Sequence, residues 1–308
     1  MVEFAAIAFV FLAGLVTALA TGLGALPFFL VDDVSDRWNV ALWGIASGIM
    51  LSASLFGLVN EGLAESTATG VPWLLVFGLL AGVALVVVAN RILERVDVGG
   101  TDPTTDGGEP FAQQEQDDDA PDDHAHDVDH GHGHGIDPAA FADADVRKLV
   151  LILGVLTVHS FPEGVAVGVS FAELGFEGGV EMFGFVVPVL AIFMTVAISI
   201  HNVPEGVAIS IPLRAMDVSE WRMVGAAVFS SLPQPIGAVV AFVFVRWARE
   251  FLPFGFGFAA GAMVYLVLSE FVPEALDAGA DLDGRGYGEL AAGLVAGFLV
   301  MVPLLFVA

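Results

Sequence analysis

The chain has 308 residues, 56% of them hydrophobic, with 36 acidic against 10 basic side chains and a formal net charge of −26. That balance argues against nucleic acid as a partner, and the absence of cysteine excludes disulfides, thiolate metal sites and Cys nucleophiles. Any metal must be held by imidazole, carboxylate, or amide and carbonyl oxygen.

Apolar runs of about 20 residues follow one another with almost no charge, which a bilayer requires and a soluble core does not. They predict an all-α polytopic membrane protein with the lipid bilayer as its solvent. Eight transmembrane helices are expected at about 4–31, 39–63, 72–93, 149–172, 182–212, 223–247, 252–276 and 288–308. The first lacks a basic n-region and is too long for a signal peptide, so it reads as a span. Arg37, Arg91, Arg95, Arg147, Lys148, Arg214, Arg222 and Arg285 fall on one side, and Arg246 and Arg249 on the other. The positive-inside rule then puts both termini outside a multi-pass cell-membrane protein.

The chain divides into 1–95 with helices one to three, a linker over 96–146, and 147–308 with helices four to eight. The linker is Asp- and Gly-rich and carries His124, His126, His130, His132 and His134, five of the seven histidines in the chain. Such composition predicts a disordered cytoplasmic loop whose imidazoles and carboxylates capture zinc-like ions weakly and in number.

Helices two and seven share a pattern. Ser47-Gly48-Ile49-Met50 matches Ala260-Gly261-Ala262-Met263, and Glu61 and Glu274 follow at the same distance. Because these spans run in opposite directions, helices one to three and six to eight read as an inverted repeat.

Helix four contains His159-Ser160-Phe161-Pro162-Glu163-Gly164-Val165-Ala166 and helix five His201-Asn202-Val203-Pro204-Glu205-Gly206-Val207-Ala208, identical at six of eight positions. In each, His and Glu are four residues apart and project from one helix face. No Lys or Arg lies inside either module, so a buried Glu163 and Glu205 need a cation from elsewhere. A divalent ion held by His159, Glu163, His201 and Glu205 would satisfy all four. Pro162 and Pro204 free a carbonyl one turn upstream, as in the broken helices that line ion sites at mid-membrane.

Other polar groups lie where a path could run. Gln234, between two prolines in helix six, either ligates weakly through its oxygen or bonds a backbone group. Glu270 on helix seven reads as an accessory or exit ligand. Met50 and Met263 either guide soft metals or simply pack.

On the paired modules, the eight-span layout and the histidine-rich loop, the sequence resembles the ZIP (Zrt/Irt-like protein) family of divalent metal transporters, closest to its GufA-like branch. The resemblance implies a 3+2+3 helix arrangement, a homodimer, and uptake of zinc, with iron, manganese and cadmium as further substrates, into the cytoplasm by alternating access. It implies that His159, Glu163, His201 and Glu205 form the primary metal site. It also implies that a second metal, where present, uses positions held here by Ser160, Asn202 and Gln234. Gln234 removes one negative charge there, so a single well-held ion is expected. Three alternatives stand beside this reading. An intramembrane metalloprotease needs the H-E-x-x-H order, which neither module has, and a metal exporter needs flux the other way. A sensor or store would work through the loop.

Overall fold

The computed structural model describes residues 2–31, 34–66, 71–97, 159–176, 178–215 and 217–305. The segment 98–158, with all five loop histidines, lies outside the described residues.

The chain is an all-α polytopic membrane protein. Helix α1 is Val2–Leu23. Helix α2 starts as Asp36–Ser52, passes through a π-helical stretch Ala53–Val59 and ends as Asn60–Ala64. Helix α3 is Trp73–Asp97, and α4 is described over 159–170. Helix α5 is Val189–Ala215. Helix α6 has two pieces, Glu220–Ser230 and Pro233–Trp247. Helix α7 runs as Leu252–Leu266, a π-helical stretch Val267–Phe271 and Val272–Ala278, and α8 is Tyr287–Leu305. Among the described residues, seven of these spans are long and apolar enough to cross a membrane; α4 is described only in part.

One element departs from the all-helical expectation. Between α4 and α5, Val180–Met182 and Phe185–Val187 form an antiparallel hairpin in which Met182 pairs with Phe185. Phe183 and Gly184 both take positive φ, 50° and 82°, the two-residue turn whose twist suits a hairpin. From Met182 onward the hairpin carries no charge, so hydropathy alone carries span five back to residue 182. The helix itself begins only after Pro188, whose ring fits a first turn but not the interior. Phe9 of α1 stacks on Phe185 at 5.3 Å and meets Phe171 edge-on at 5.8 Å, which ties the hairpin to α1.

The break in α6 has a local cause. Proline has no N–H to give, so the ladder stops before Pro233, and the last amides turn to tighter bonds, Ser231 N to Val228 O and Leu232 N to Phe229 O, both 3.2 Å. The second piece then opens with Pro233, Gln234 and Pro235 in its first turn.

Glycines decide which helices pair. A Cβ on Gly44 or Gly48 of α2 would collide with the Leu290 and Leu294 carbonyls of α8, and one on Gly293 or Gly297 with those of Ala41 and Ile45. The same reciprocal G-x-x-x-G contact joins α3 and α7, Gly78 and Gly82 against Phe254 and Phe258, Gly257 and Gly261 against Leu75 and Leu79. With lipid as apolar as leucine, close backbone approach is what holds such pairs. The α2 glycines recur 213 residues later in α7, and the α3 glycines 215 residues later in α8, so one pairing is the image of the other.

The remaining helices obey the same correspondence. Gly206 of α5 abuts the Thr21 carbonyl of α1, and Gly164 of α4 abuts the Gln234 carbonyl of α6; Thr21 and Gln234 are again 213 residues apart. Two sets result, α1, α4, α5 and α6 against α2, α3, α7 and α8, each knit through glycine on backbone. Where the sets meet, Gly57 faces the ends of Phe193 and Met194, and Gly255 faces Val169 and Val245. Those contacts are between side chains and glycine, without interlocked backbones.

Candidate metal site

The modules sit at the centre of the first set. Proline within α5 leaves the helix continuous through Pro204, and Gly206 lets α1 come close enough to seal the module from lipid. His201 is 1% exposed, Glu163 1% and Glu205 5%. Their ligand atoms lie within 4.8 Å of one another, close enough to share one ion.

Neither ring nitrogen of His201 has a hydrogen-bond partner among the described residues, and the same holds for Oε2 of Glu205. Nε2 of His201 stands 3.3 Å from Oε1 of Glu163, near enough for attraction but not aligned as a hydrogen bond. Buried polar atoms are normally paired, and a buried unpaired carboxylate costs several kcal/mol. The unpartnered atoms of His201 and Glu205, with Oε1 of Glu163 beside His201, form a ligand set suited to a cation.

The other oxygen of Glu163 is taken. Gln234 Nε2 donates to Glu163 Oε2 at 2.5 Å, Asn202 Nδ2 donates to Gln234 Oε1 at 3.0 Å, and Asn202 Nδ2 also donates to the Thr17 carbonyl at 2.7 Å. This amide relay runs from α1 through α5 and α6 to α4. It fixes which end of Gln234 faces Glu163, and leaves Glu163 a single oxygen turned toward His201.

Residues 90–304, well over half of the chain, match the family described as ZIP Zinc transporter. The chain belongs to the ZIP family. It is 35% identical over 262 residues to an Arabidopsis thaliana protein provisionally named a zinc transporter, covering 85% of this chain and 33% of that protein. It is 38% identical over 159 residues to zinc transporter ZIP11 of Homo sapiens, 51% of this chain and 43% of that one. With zinc transporter ZupT of Corynebacterium glutamicum it shares 28% over 298 residues, 93% of this chain and 94% of the relative. The ZIP chain thus spans a third of the Arabidopsis protein and under half of the human one. Zinc transporter GufA of Myxococcus xanthus also matches, 34% identical over 158 residues.

Against that background, the placement of each expected residue in this ZIP protein is informative. Glu163, His201 and Glu205 come together. His159 stands apart from them: its Nδ1 lies 3.1 Å from Glu270 Oε2 and its Nε2 3.3 Å from Asn90 Oδ1, while Asn90 Nδ2 donates to Glu270 Oε1 at 2.9 Å. Gln234 and Asn202 border the trio through the relay, and Ser160 is fully buried beside His159 in sequence. Met50 and Met263 lie in the main apolar core, and neither belongs to the trio.

Three contributors escaped the sequence reading. Asn90 is a lone amide beside Arg91 near the end of span three, with no motif around it. Thr17 acts through its carbonyl, which no side-chain pattern reveals. Phe271 stacks on the His201 ring, centroids 5.3 Å apart and 19° between planes, and Trp43 lies against Phe271 at 5.0 Å with its ring tilted by 48°. Phe271 and Glu270 both belong to the π-helical stretch of α7, so one local distortion meets both histidines.

Proposed function

We propose that this protein carries divalent metal, zinc foremost and iron, manganese and cadmium besides, across the membrane into the cytoplasm. The observation that carries this reading is the buried Glu163–His201–Glu205 cluster, in which both His201 nitrogens and Oε2 of Glu205 have no hydrogen-bond partner among the described residues. His159, four residues before Glu163 on the same helix, completes the set as the fourth ligand. Neutral imidazole and carboxylate without thiolate give the moderate affinity a carrier needs in order to release its cargo. The Gln234 amide on the outer oxygen of Glu163 supports one ion rather than two.

Alternating access is supported by the two glycine-knit sets, since the glycines where they meet, Gly57 and Gly255, face side chains and not backbone. The 3+2+3 division, a homodimer, external termini and a cytoplasmic histidine-rich loop that takes the released ion complete the proposal. Relatives named as transporters, and modules without the H-E-x-x-H order, set a hydrolase aside.

Isotope uptake into proteoliposomes tests the reading. Glu163→Ala with Glu205→Ala should abolish zinc, iron, manganese and cadmium flux; unchanged flux in that double variant would sink it. Outward-only flux would favour an exporter.

A further inference from the structure

His159 is held by the opposite set of helices. Asn90 sits on α3 and Glu270 on α7, both in the set that packs around α2 and α8, whereas His159 sits on α4 beside the ion-binding trio. The three side chains close a ring: Asn90 to Glu270, Glu270 to His159, His159 to Asn90. His159 is 7% exposed, and both its ring nitrogens face these oxygens. A histidine whose two nitrogens are occupied has none to offer a metal.

We infer that Asn90 and Glu270 are positioning residues that withhold His159 from the ion, so that metal capture and release of the contact between the two helix sets are one event. This rests on the reading of His159 as the fourth ligand. When a divalent ion settles on Glu163, His201 and Glu205, its remaining coordination position draws His159 away from Glu270. The ion thereby removes a polar tie between the moving parts. When the ion leaves, Glu270 and Asn90 take His159 back. A site of three ligands becomes one of four only as the tie opens, which lowers apparent affinity by the fraction of protein in which His159 is free.

The repeat supports the assignment. The position equivalent to Glu270 in α2, 213 residues earlier, is Gly57, which has no side chain to offer His201. Nothing among the described residues hydrogen-bonds His201. Among the described residues the tie falls on His159 and not on His201, as a switch requires.

The test is the sign of an affinity change. A carboxylate near a cation site ordinarily helps binding, so its loss should weaken affinity; a withholding carboxylate does the reverse. In the full-length protein in nanodiscs, Zn²⁺ titration of Glu270→Gln should give about tenfold tighter binding, the scale of one charge-assisted hydrogen bond. Asn90→Leu should give a smaller tightening. Uptake in Glu270→Gln should show KM and maximal rate falling together, since release slows. In a His159→Ala background the Glu270→Gln substitution should change affinity by less than about twofold.

X-ray absorption at the zinc edge separates the two ideas. Two imidazoles per zinc in the wild type, falling to one in His159→Ala, establish the ligand. If that holds and Glu270→Gln weakens binding or leaves it unchanged, the withholding role is overturned. If His159→Ala alters neither imidazole count nor affinity, the fourth-ligand reading fails instead. Glu270→Asp, which keeps the charge, should restore wild-type affinity and guards against a misfolded α7.

Discussion

The two modules differ at only two of eight positions, yet their histidines live in different chemical surroundings. His159 on α4 meets a carboxylate and an amide from α7 and α3. His201 on α5 meets the flat face of Phe271 and an oxygen of Glu163, and neither of its nitrogens is hydrogen-bonded among the described residues. The cause is tertiary. Each helix packs its own module glycine on a neighbouring backbone, Gly164 of α4 against α6 and Gly206 of α5 against α1. However, the opposite helix set offers Glu270 to one module and Gly57 to the other. The lesson is that duplicated ligands need not be duplicated in role: His201 is preorganised for the ion, and His159 must be recruited.

The largest expected effects fall on the preorganised side. His201→Ala removes a resident ligand from a fully buried trio, and roughly 100-fold weaker zinc binding, about 3 kcal/mol, should follow. His159→Ala removes a ligand already engaged elsewhere, so about tenfold is expected. Isothermal titration of both variants decides the comparison; equal losses would make the two histidines equivalent and erase the distinction.

The next test addresses what the modules share. Gly164→Ala and Gly206→Ala each drive a methyl into a carbonyl of the neighbouring helix, where the atom encountered is backbone and cannot swing aside. Overpacking of this kind costs about 1–3 kcal/mol. Thermal unfolding in detergent should show both variants destabilised by similar amounts, and a tolerated alanine at one of them would mean that the correspondence between the two helix pairs is not energetic.

Much of this was legible in the sequence, because the bilayer imposes long apolar runs and buried charge stands out against them. The spans around α2, α3, α7 and α8 are readable in the sequence to within a few residues, and the spacing of the two modules names Glu163, His201 and Glu205 as ligand candidates together with His159. The hairpin at 180–187 is hidden because its second strand, Phe185–Val187, runs into the helix without a charge to mark the boundary. The G-x-x-x-G pairs were visible as letters, but nothing in one sequence says which glycine meets which backbone. Asn90, Glu270 and His159 lie far apart in sequence, and only packing brings them within 3.3 Å. The separation of His159 from its own module could not be read from a motif that places His and Glu on one face.

The smallest effect concerns the one polar difference between the modules, Ser160 against Asn202. Asn202 donates to both Gln234 Oε1 and the Thr17 carbonyl, and its own Oδ1 has no partner among the described residues. An amide that aims its donors at other groups positions; it does not ligate. Asn202→Ser would make the modules alike at this position and leave Gln234 free to turn its oxygen toward Glu163, which repels it. The Thr17 carbonyl loses one of two acceptor roles at little cost. The loss should amount to about 1–2 kcal/mol of stability, with zinc affinity changed by no more than about fivefold. Binding isotherms beside thermal unfolding measure both. If Asn202→Ser instead abolishes binding as fully as His201→Ala, then Asn202 Oδ1, unpartnered here, is itself turned to the ion, and the α5 module supplies three ligands where the α4 module supplies two.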